Sequence, residues 1–247
     1  MTPEFERRRK GFVKHLPKNV LGRDFFTGDI HGSFGLLDCG LSMVDFDRKI
    51  DRLIAVGDLV DRGRYSDRCL EFMTEPWFHS VLGNHEDMGI SYAFTGQIPR
   101  MSVTDYITHG GAWMVGLTPS ERQDYAYAMM ELPYLIQVET SVGLIGVVHA
   151  DTLNDSWDFT VQKFKEVENE ADLERLKGHC LWSRNRYNQL DTTPVSGVHA
   201  AMVGHTPLSQ PYALGNTYFI DTGAVFRHGT LCLIEVSDLK DIAQLTR

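Results

Sequence analysis

The amino-acid sequence predicts an α/β fold of the mixed, α+β kind, formed as one domain over residues 1–247, and three observations carry that reading. Short apolar runs of strand length alternate with longer stretches of helical character. Helix-length segments separate the early runs, as β-α-β crossovers and a partly parallel sheet require, whereas the later runs follow one another closely, as in a second, mixed sheet. No repeat, low-complexity tract or Pro/Gly/Ser-rich linker divides the chain, and 247 residues at 43% hydrophobic content can fill one sizeable core.

Taken in order, strands are expected at residues 24–27, 53–56, 78–82, 135–138, 144–148, 200–203, 218–220 and 231–236, each a short run of β-branched, aromatic or aliphatic residues. Helices are expected at 66–74, 89–94 and 159–176. The clearest helix start is Thr118-Pro119-Ser120-Glu121: Thr118 caps, Pro119 suits the first helical position, and Glu121 bonds back to the cap. That helix should run to about Leu132, ahead of Pro133. Residues 1–20 read as a peripheral N-terminal segment, and Arg7, Arg8, Arg9 and Lys10 within it as a solvated, frayed charge run.

Composition excludes several classes of function. A formal net charge of -9 argues against broad attraction to nucleic acid or to an anionic membrane, so any phosphate binding must be local. The four cysteines, Cys39, Cys69, Cys180 and Cys232, form no C-x-x-C pair and no framework spacing, against both a zinc-thiolate site and a disulfide-stapled fold. No signal-peptide h-region or membrane-length apolar run is present, and a cytoplasmic location is expected.

Chemistry is concentrated where the strands end. The first three runs lead into Gly28-Asp29-Ile30-His31-Gly32, into Gly57-Asp58-Leu59-Val60-Asp61-Arg62-Gly63, and into Gly83-Asn84-His85-Glu86. Two later runs lead into His149-Ala150-Asp151 and into Gly204-His205-Thr206-Pro207. Loops leaving the carboxyl ends of strands converge on one crevice in α/β proteins, so these segments can meet. Together they offer Asp29, His31, Asp58, Asn84, His149 and His205, an oxygen and imidazole set without thiolate that suits manganese, iron or zinc. Six ligands are too many for one tetrahedral ion. Two ions roughly 3.5–4 Å apart would use them all, with Asp58 as the natural bridge, and such a pair activates water and clamps a phosphoryl group. Arg62 can then supply positive charge to the phosphate oxygens, and His85 a proton to the leaving group.

The strings GDIHG (28–32), GDLVDRG (57–63) and GNHE (83–86) resemble the three signature motifs of the phosphoprotein phosphatase family of metallophosphoesterases. HAD (149–151), LWSR (181–184), GHTP (204–207) and DTGAVF (221–226) resemble its small bacterial and phage branch, which includes lambda-phage phosphatase. The resemblance spans residues 24–236. It implies a calcineurin-like metallophosphoesterase fold, a central β-sandwich of mixed sheets flanked by helices. It assigns Asp29 and His31 to one metal, Asp58 to the bridge, and Asn84, His149 and His205 to the other. Arg62, Arg184 and Asn84 would hold phosphate, and His85, oriented by Asp61, would protonate the leaving group. Two divalent ions are implied, manganese first, with iron, zinc or nickel as substitutes. Leu82 and Ser33 depart from residues common in relatives but are not ligands, and Phe226 stands where larger relatives carry a tyrosine, so a hydroxyl is absent there.

The expected function is that of a protein serine/threonine phosphatase, with phosphotyrosine as a further substrate. It would act by in-line attack of a hydroxide bridging the two ions, with no phosphoenzyme. Its partners would be phosphorylated proteins or peptides, not nucleic acid or membrane. The enzymatic rival is a dinucleoside polyphosphate hydrolase resembling diadenosine tetraphosphatases. A non-catalytic phosphoprotein-binding scaffold is the other class, weakened because no ligand, arginine or acid is missing. The bland reading is kept for His15, His79, His179, His199 and His228 as surface or structural residues. It is preferred for His109 in the His109-Gly110-Gly111-Ala112-Trp113 string, and for Glu86, Asp87 and Asp151 as caps or holders of ligand loops.

Overall fold

The computed structural model describes residues 9–240 and 242, and the Arg7 and Arg8 part of the basic run lies outside them. In chain order the strands are β1 (Val13–Leu16), β2 (Asp24–Thr27), β3 (Arg52–Ala55), β4 (Phe78–Ser80), β5 (Leu135–Glu139), β6 (Leu144–Val148), β7 (Ala200–Val203), β8 (Tyr212–Leu214), β9 (Thr217–Phe219) and β10 (Leu233–Glu235). The helices are α1 (Phe34–Met43), α2 (Cys69–Met73), α3 (Asn84–Thr95), α4 (Val103–Tyr106), α5 (Ala112–Gly116), α6 (Pro119–Met130), α7 (Trp157–Glu166), α8 (Glu170–Cys180) and α9 (Asn185–Gln189).

The strands form two sheets, ordered β1-β5-β6-β7-β9-β8 and β10-β2-β3-β4. Both are mixed: β2, β3 and β4 run parallel with β10 antiparallel at the edge, while β6, β7 and β9 run parallel between antiparallel neighbours β5 and β8. The pleat explains the layering, because alternate side chains leave opposite faces. Phe26, Ile54, Ile136, Val138, Val147 and Met202 share one core between the sheets. Their neighbours Phe25 and Leu53 pack outward with Phe34 and Leu37 of α1, and Leu135 and Val148 pack outward with Trp157 and Phe164 of α7. Two mixed sheets with helices on both outer faces are the expected sandwich.

Several elements differ from expectation for identifiable reasons. The 159–176 stretch is two helices: Val167 leaves the helical region at ψ 128°, and Asn169 starts α8 by accepting the Asp172 N–H at 3.0 Å. The 66–74 segment begins as a 3₁₀ turn, Ser66–Arg68, before α2. α3 begins at Asn84, five residues before the expected start, because Glu86 bonds back to the Gly83 N–H and so caps it. α6 has the expected capping box at Thr118 and Glu121, and stops at Met130. Unforeseen elements include α1, α4, α5, edge strand β1 and β8, which forms a hairpin with the expected β9 through Gly215 at φ 60°. Among the described residues no helix is long and apolar enough to cross a membrane.

Candidate active site

Parallel β2, β3 and β4 deliver Asp29, Asp58 and Asn84 from their carboxyl ends, and parallel β6, β7 and β9 deliver His149, His205 and Asp221 from theirs. The two sheets therefore meet at one rim. Backbone bonds stitch the loops together: the Ile30 and His31 N–H groups donate to Asp58 O at 3.1 and 2.8 Å, and the Gly204 N–H to His149 O at 2.8 Å. At Gly83 a Cβ would overlap the Asp58 carboxylate, so the α3 loop can approach that closely only without a side chain.

The imidazoles share one arrangement. His31 Nδ1 and His149 Nδ1 donate to Val60 O and Val56 O at 2.8 and 2.7 Å, and His205 Nε2 to Trp182 O at 3.2 Å. Each opposite nitrogen faces the centre. His31 Nε2 and His149 Nε2 both lie 3.5 Å from Asp58 Oδ2, while His149 Nε2 and His205 Nδ1 lie 2.9 and 3.0 Å from Asn84 Oδ1. Burial pushes His31 and His149 down and His205 down to about 3, which keeps lone pairs available to a cation. A carbonyl on one nitrogen and a lone pair on the opposite one is the usual setting of metal-ligating histidine.

Two groups could hold an ion among the described residues: His31, Asp58 and His85, and Asp58, His149 and His205, with the ligand atoms of each within 4.8 Å of one another. Asp58 belongs to both. Burial opposes its charge, but His149, His85 and His31 with the His85 backbone N–H outweigh that, and its carboxyl lies below the ordinary range. Asp29, which accepts the His205 N–H at 3.1 Å, is pushed well above it by burial and by the charges of Asp221 and Asp58. Buried Asp29 and Asp58, which face imidazole nitrogens, together with Asp221 beside them fit a pair of divalent cations, whose charge would offset the repulsion.

His85 differs in having a carboxylate behind it. Its Nδ1 donates to Asp61 Oδ2 at 2.7 Å, and its Nε2 lies 3.9 Å from Asp58 Oδ2. Burial lowers its pKa, but Asp58 and Asp61 outweigh this and raise it, so the imidazolium persists to higher pH. Arg62 donates from Nη1 to His31 Nε2 and lies 5.9 Å from the ring of half-exposed Phe226, while Arg184 is exposed and donates to His205 O at 3.0 Å. The structure thus brings Asp29, His31, Asp58, Asn84, His85, His149 and His205 to one buried centre with Asp61 behind it. Arg62 reaches that centre, and Arg184 reaches the His205 backbone.

Glu86 accepts the Asp58, Gly83, Leu59 and Val60 N–H groups, clamping two loops with one carboxylate, as expected of a holder of those loops. Asp151 holds its loop through Thr152 N and Arg186 Nε. His109 bonds Asp105 O at the surface. Trp157, at the start of α7, is wholly buried against Gly146. Asp221 was given no role from sequence although it follows a strand as Asp29 does. It is buried beside Asp29, and burial raises it to about 6. Trp113 and Tyr106, which bond Asp61, carried no sequence signal.

A family model for calcineurin-like phosphoesterases matches residues 25–209. The chain is similar to serine/threonine-protein phosphatase 2 of Salmonella typhimurium, 32% identical over 85% of this chain and 91% of the relative. It is also 34% identical to serine/threonine-protein phosphatase 1 of the same organism, over 81% and 86% of the two chains. Among solved structures, a candidate diadenosine tetraphosphatase superposes at a TM-score of 0.61 with 20% identity, over 91% of this chain and 96% of that one. With the motif loops, the two-sheet architecture and these matches in agreement, the chain belongs to the calcineurin-like phosphoesterase family and is a metal-dependent phosphatase.

Proposed function

We propose that this phosphatase removes phosphate from phosphoserine and phosphothreonine in proteins, with His85 as the general acid. The observation that carries the reading is the buried His85–Asp61 pair, 2.7 Å apart, beside two His/Asp groups that share Asp58. Two divalent ions, manganese by preference, held by Asp29, His31, Asp58, Asn84, His149 and His205, would activate the attacking water and screen the phosphate charge. Arg62, Arg184 and Asn84 hold the phosphate oxygens in line for displacement. The new phosphorus–oxygen bond forms from water, which releases one proton to solvent. The bond to the seryl or threonyl oxygen breaks with its electron pair on that oxygen, which takes the Nε2 proton of His85. His85 then recovers a proton from solvent, and no nucleophilic side chain is needed.

The likeness to the tetraphosphatase structure, at 20% identity, carries the fold alone, whereas the protein phosphatase relatives match over most of both chains. The deciding assay offers metal-depleted protein, with and without manganese, a phosphoserine peptide, a phosphotyrosine peptide and diadenosine tetraphosphate, with His85→Asn as the contamination control. Manganese-dependent release from the phosphoserine peptide, lost in His85→Asn, is expected. Preference for the dinucleotide moves the assignment to nucleotide hydrolysis, and inactivity on all three overturns the mechanism.

A further inference from the structure

Asp61 is fully buried and uses both carboxylate oxygens. Oδ2 takes the His85 Nδ1–H, while Oδ1 accepts the Trp113 indole N–H at 2.7 Å and the Tyr106 hydroxyl at 3.4 Å. A carboxylate bonded at one oxygen only can rotate about its Cβ–Cγ bond and carry its imidazole with it. A donor on the second oxygen fixes the plane. Indole suits that place because its N–H only donates and cannot compete with Asp61 for the His85 proton.

The donors are themselves held firmly. Between α4 and α5 the chain makes a π-helical turn, Ile107–Gly111, in which Gly110 adopts φ 102°. A Cβ at Gly110 would overlap the Arg62 backbone, and one at Gly111 the Tyr106 ring. Tyr106 is fully buried, and Trp113 packs edge-on against Tyr125 at 5.0 Å. The close glycine contacts therefore let one segment lie directly against the Asp61-Arg62 loop and reach Asp61 with two side chains.

We infer that Trp113, seconded by Tyr106, is a positioning residue for proton delivery, holding Asp61 so that His85 Nε2 meets the leaving oxygen. This rests on His85 being the general acid, as proposed above. Positioning of a proton donor matters in proportion to how much the leaving group needs the proton. An alkoxide leaving from phosphoserine needs it, and nitrophenolate does not.

The test compares kcat and KM of wild type, Trp113→Phe, Tyr106→Phe and His85→Asn, all loaded with manganese, on a phosphoserine peptide and on p-nitrophenyl phosphate. Trp113→Phe should lower kcat on the peptide about tenfold, the effect of losing a hydrogen bond to a charged group, and kcat on the nitrophenyl ester less than about twofold, with KM little changed on either. Tyr106→Phe should give a smaller split of the same sign. Equal losses on both substrates, or no loss, while His85→Asn shows the split, overturn the role of Trp113 alone. Absence of the split in His85→Asn overturns the general-acid reading with it. Should Trp113→Phe fail to fold, indole N–H spectra of Asp61→Asn and wild type serve instead. One of the four tryptophan signals should shift in the variant, and four unmoved signals overturn the inference.

Discussion

Each imidazole of the centre is committed through one nitrogen before the other can bind anything. His31, His149 and His205 give one N–H to a backbone carbonyl, and His85 gives its own to a carboxylate, which separates three cation-binding candidates from the proposed proton donor in a single cluster. Backbone conformation adds a second constraint: His31, Asp58, Asp61, Arg62 and His205 all lie at φ between 44 and 69°, where non-glycine residues are strained. Arg62 is the least suited to that region and leans on Gly110. Gly110→Ala should therefore cost about 2 kcal/mol of stability and raise KM for a phosphopeptide several-fold by displacing Arg62, with manganese affinity unchanged in calorimetry. An unaltered KM in a variant that folds would refute that dependence. The ligand-type residues were legible because they stand in the loops that follow apolar strands, most of them beside a glycine. Trp113 and Tyr106 were not, because a side chain that acts through one long-range hydrogen bond leaves no local pattern.

At the scale of elements, legibility followed burial. β2, β6 and β7 matched their expected spans because their residues are almost all buried, so the apolar run and the strand coincide. β1 was missed because only Leu16 of its four residues is buried, and α4 and α5 because the Gly110-Gly111 kink breaks their periodicity. Yet the edge strand matters, since Phe12 just ahead of it is buried against Tyr134 at 5.0 Å and Phe164 at 6.5 Å. Phe12→Ala should lower unfolding free energy by about 3 kcal/mol in urea titration, and a loss below 1 kcal/mol would mark this aromatic contact as dispensable. Between α1 and β3, Asp51 accepts the Arg23 N–H and Nη2 at 2.7 Å each and the Asp47 N–H at 3.0 Å, tying the approaches to β2 and β3 together. Burial would raise its carboxyl, but the Arg23 side chain and the two backbone N–H groups outweigh it, and the folded pKa is lowered. A depressed carboxyl contributes stability above its unfolded pKa and loses it as pH falls through the folded value. The stability gap between wild type and Asp51→Asn, about 1 kcal/mol at neutral pH because Arg23 is partly exposed, should thus close below about pH 4. A gap that persists in acid would contradict the linkage.

For the whole molecule, the decisive fact is that the site straddles the sandwich. Asp29, Asp58 and Asn84 come from one sheet and His149 and His205 from the other, so ions held as proposed would join the sheets. Manganese at a hundredfold excess over its Kd should raise Tm by about 5–10 °C, and Asp58→Asn should abolish most of that shift in a thermal scan. An equal shift in the variant would place the ions elsewhere. The end strands cross over in the same way: β1 pairs with β5, and β10 pairs with β2, with Leu233 opposite Thr27. On a ribosome, the sheet that carries Asp29 and Asp58 must wait for its antiparallel edge until some two hundred further residues have been made, after the strands that lead to His149 and His205. Completion of the sandwich is in this way tied to the synthesis of β10, so a chain made only as far as His205 still lacks one edge of the sheet that carries Asp29 and Asp58.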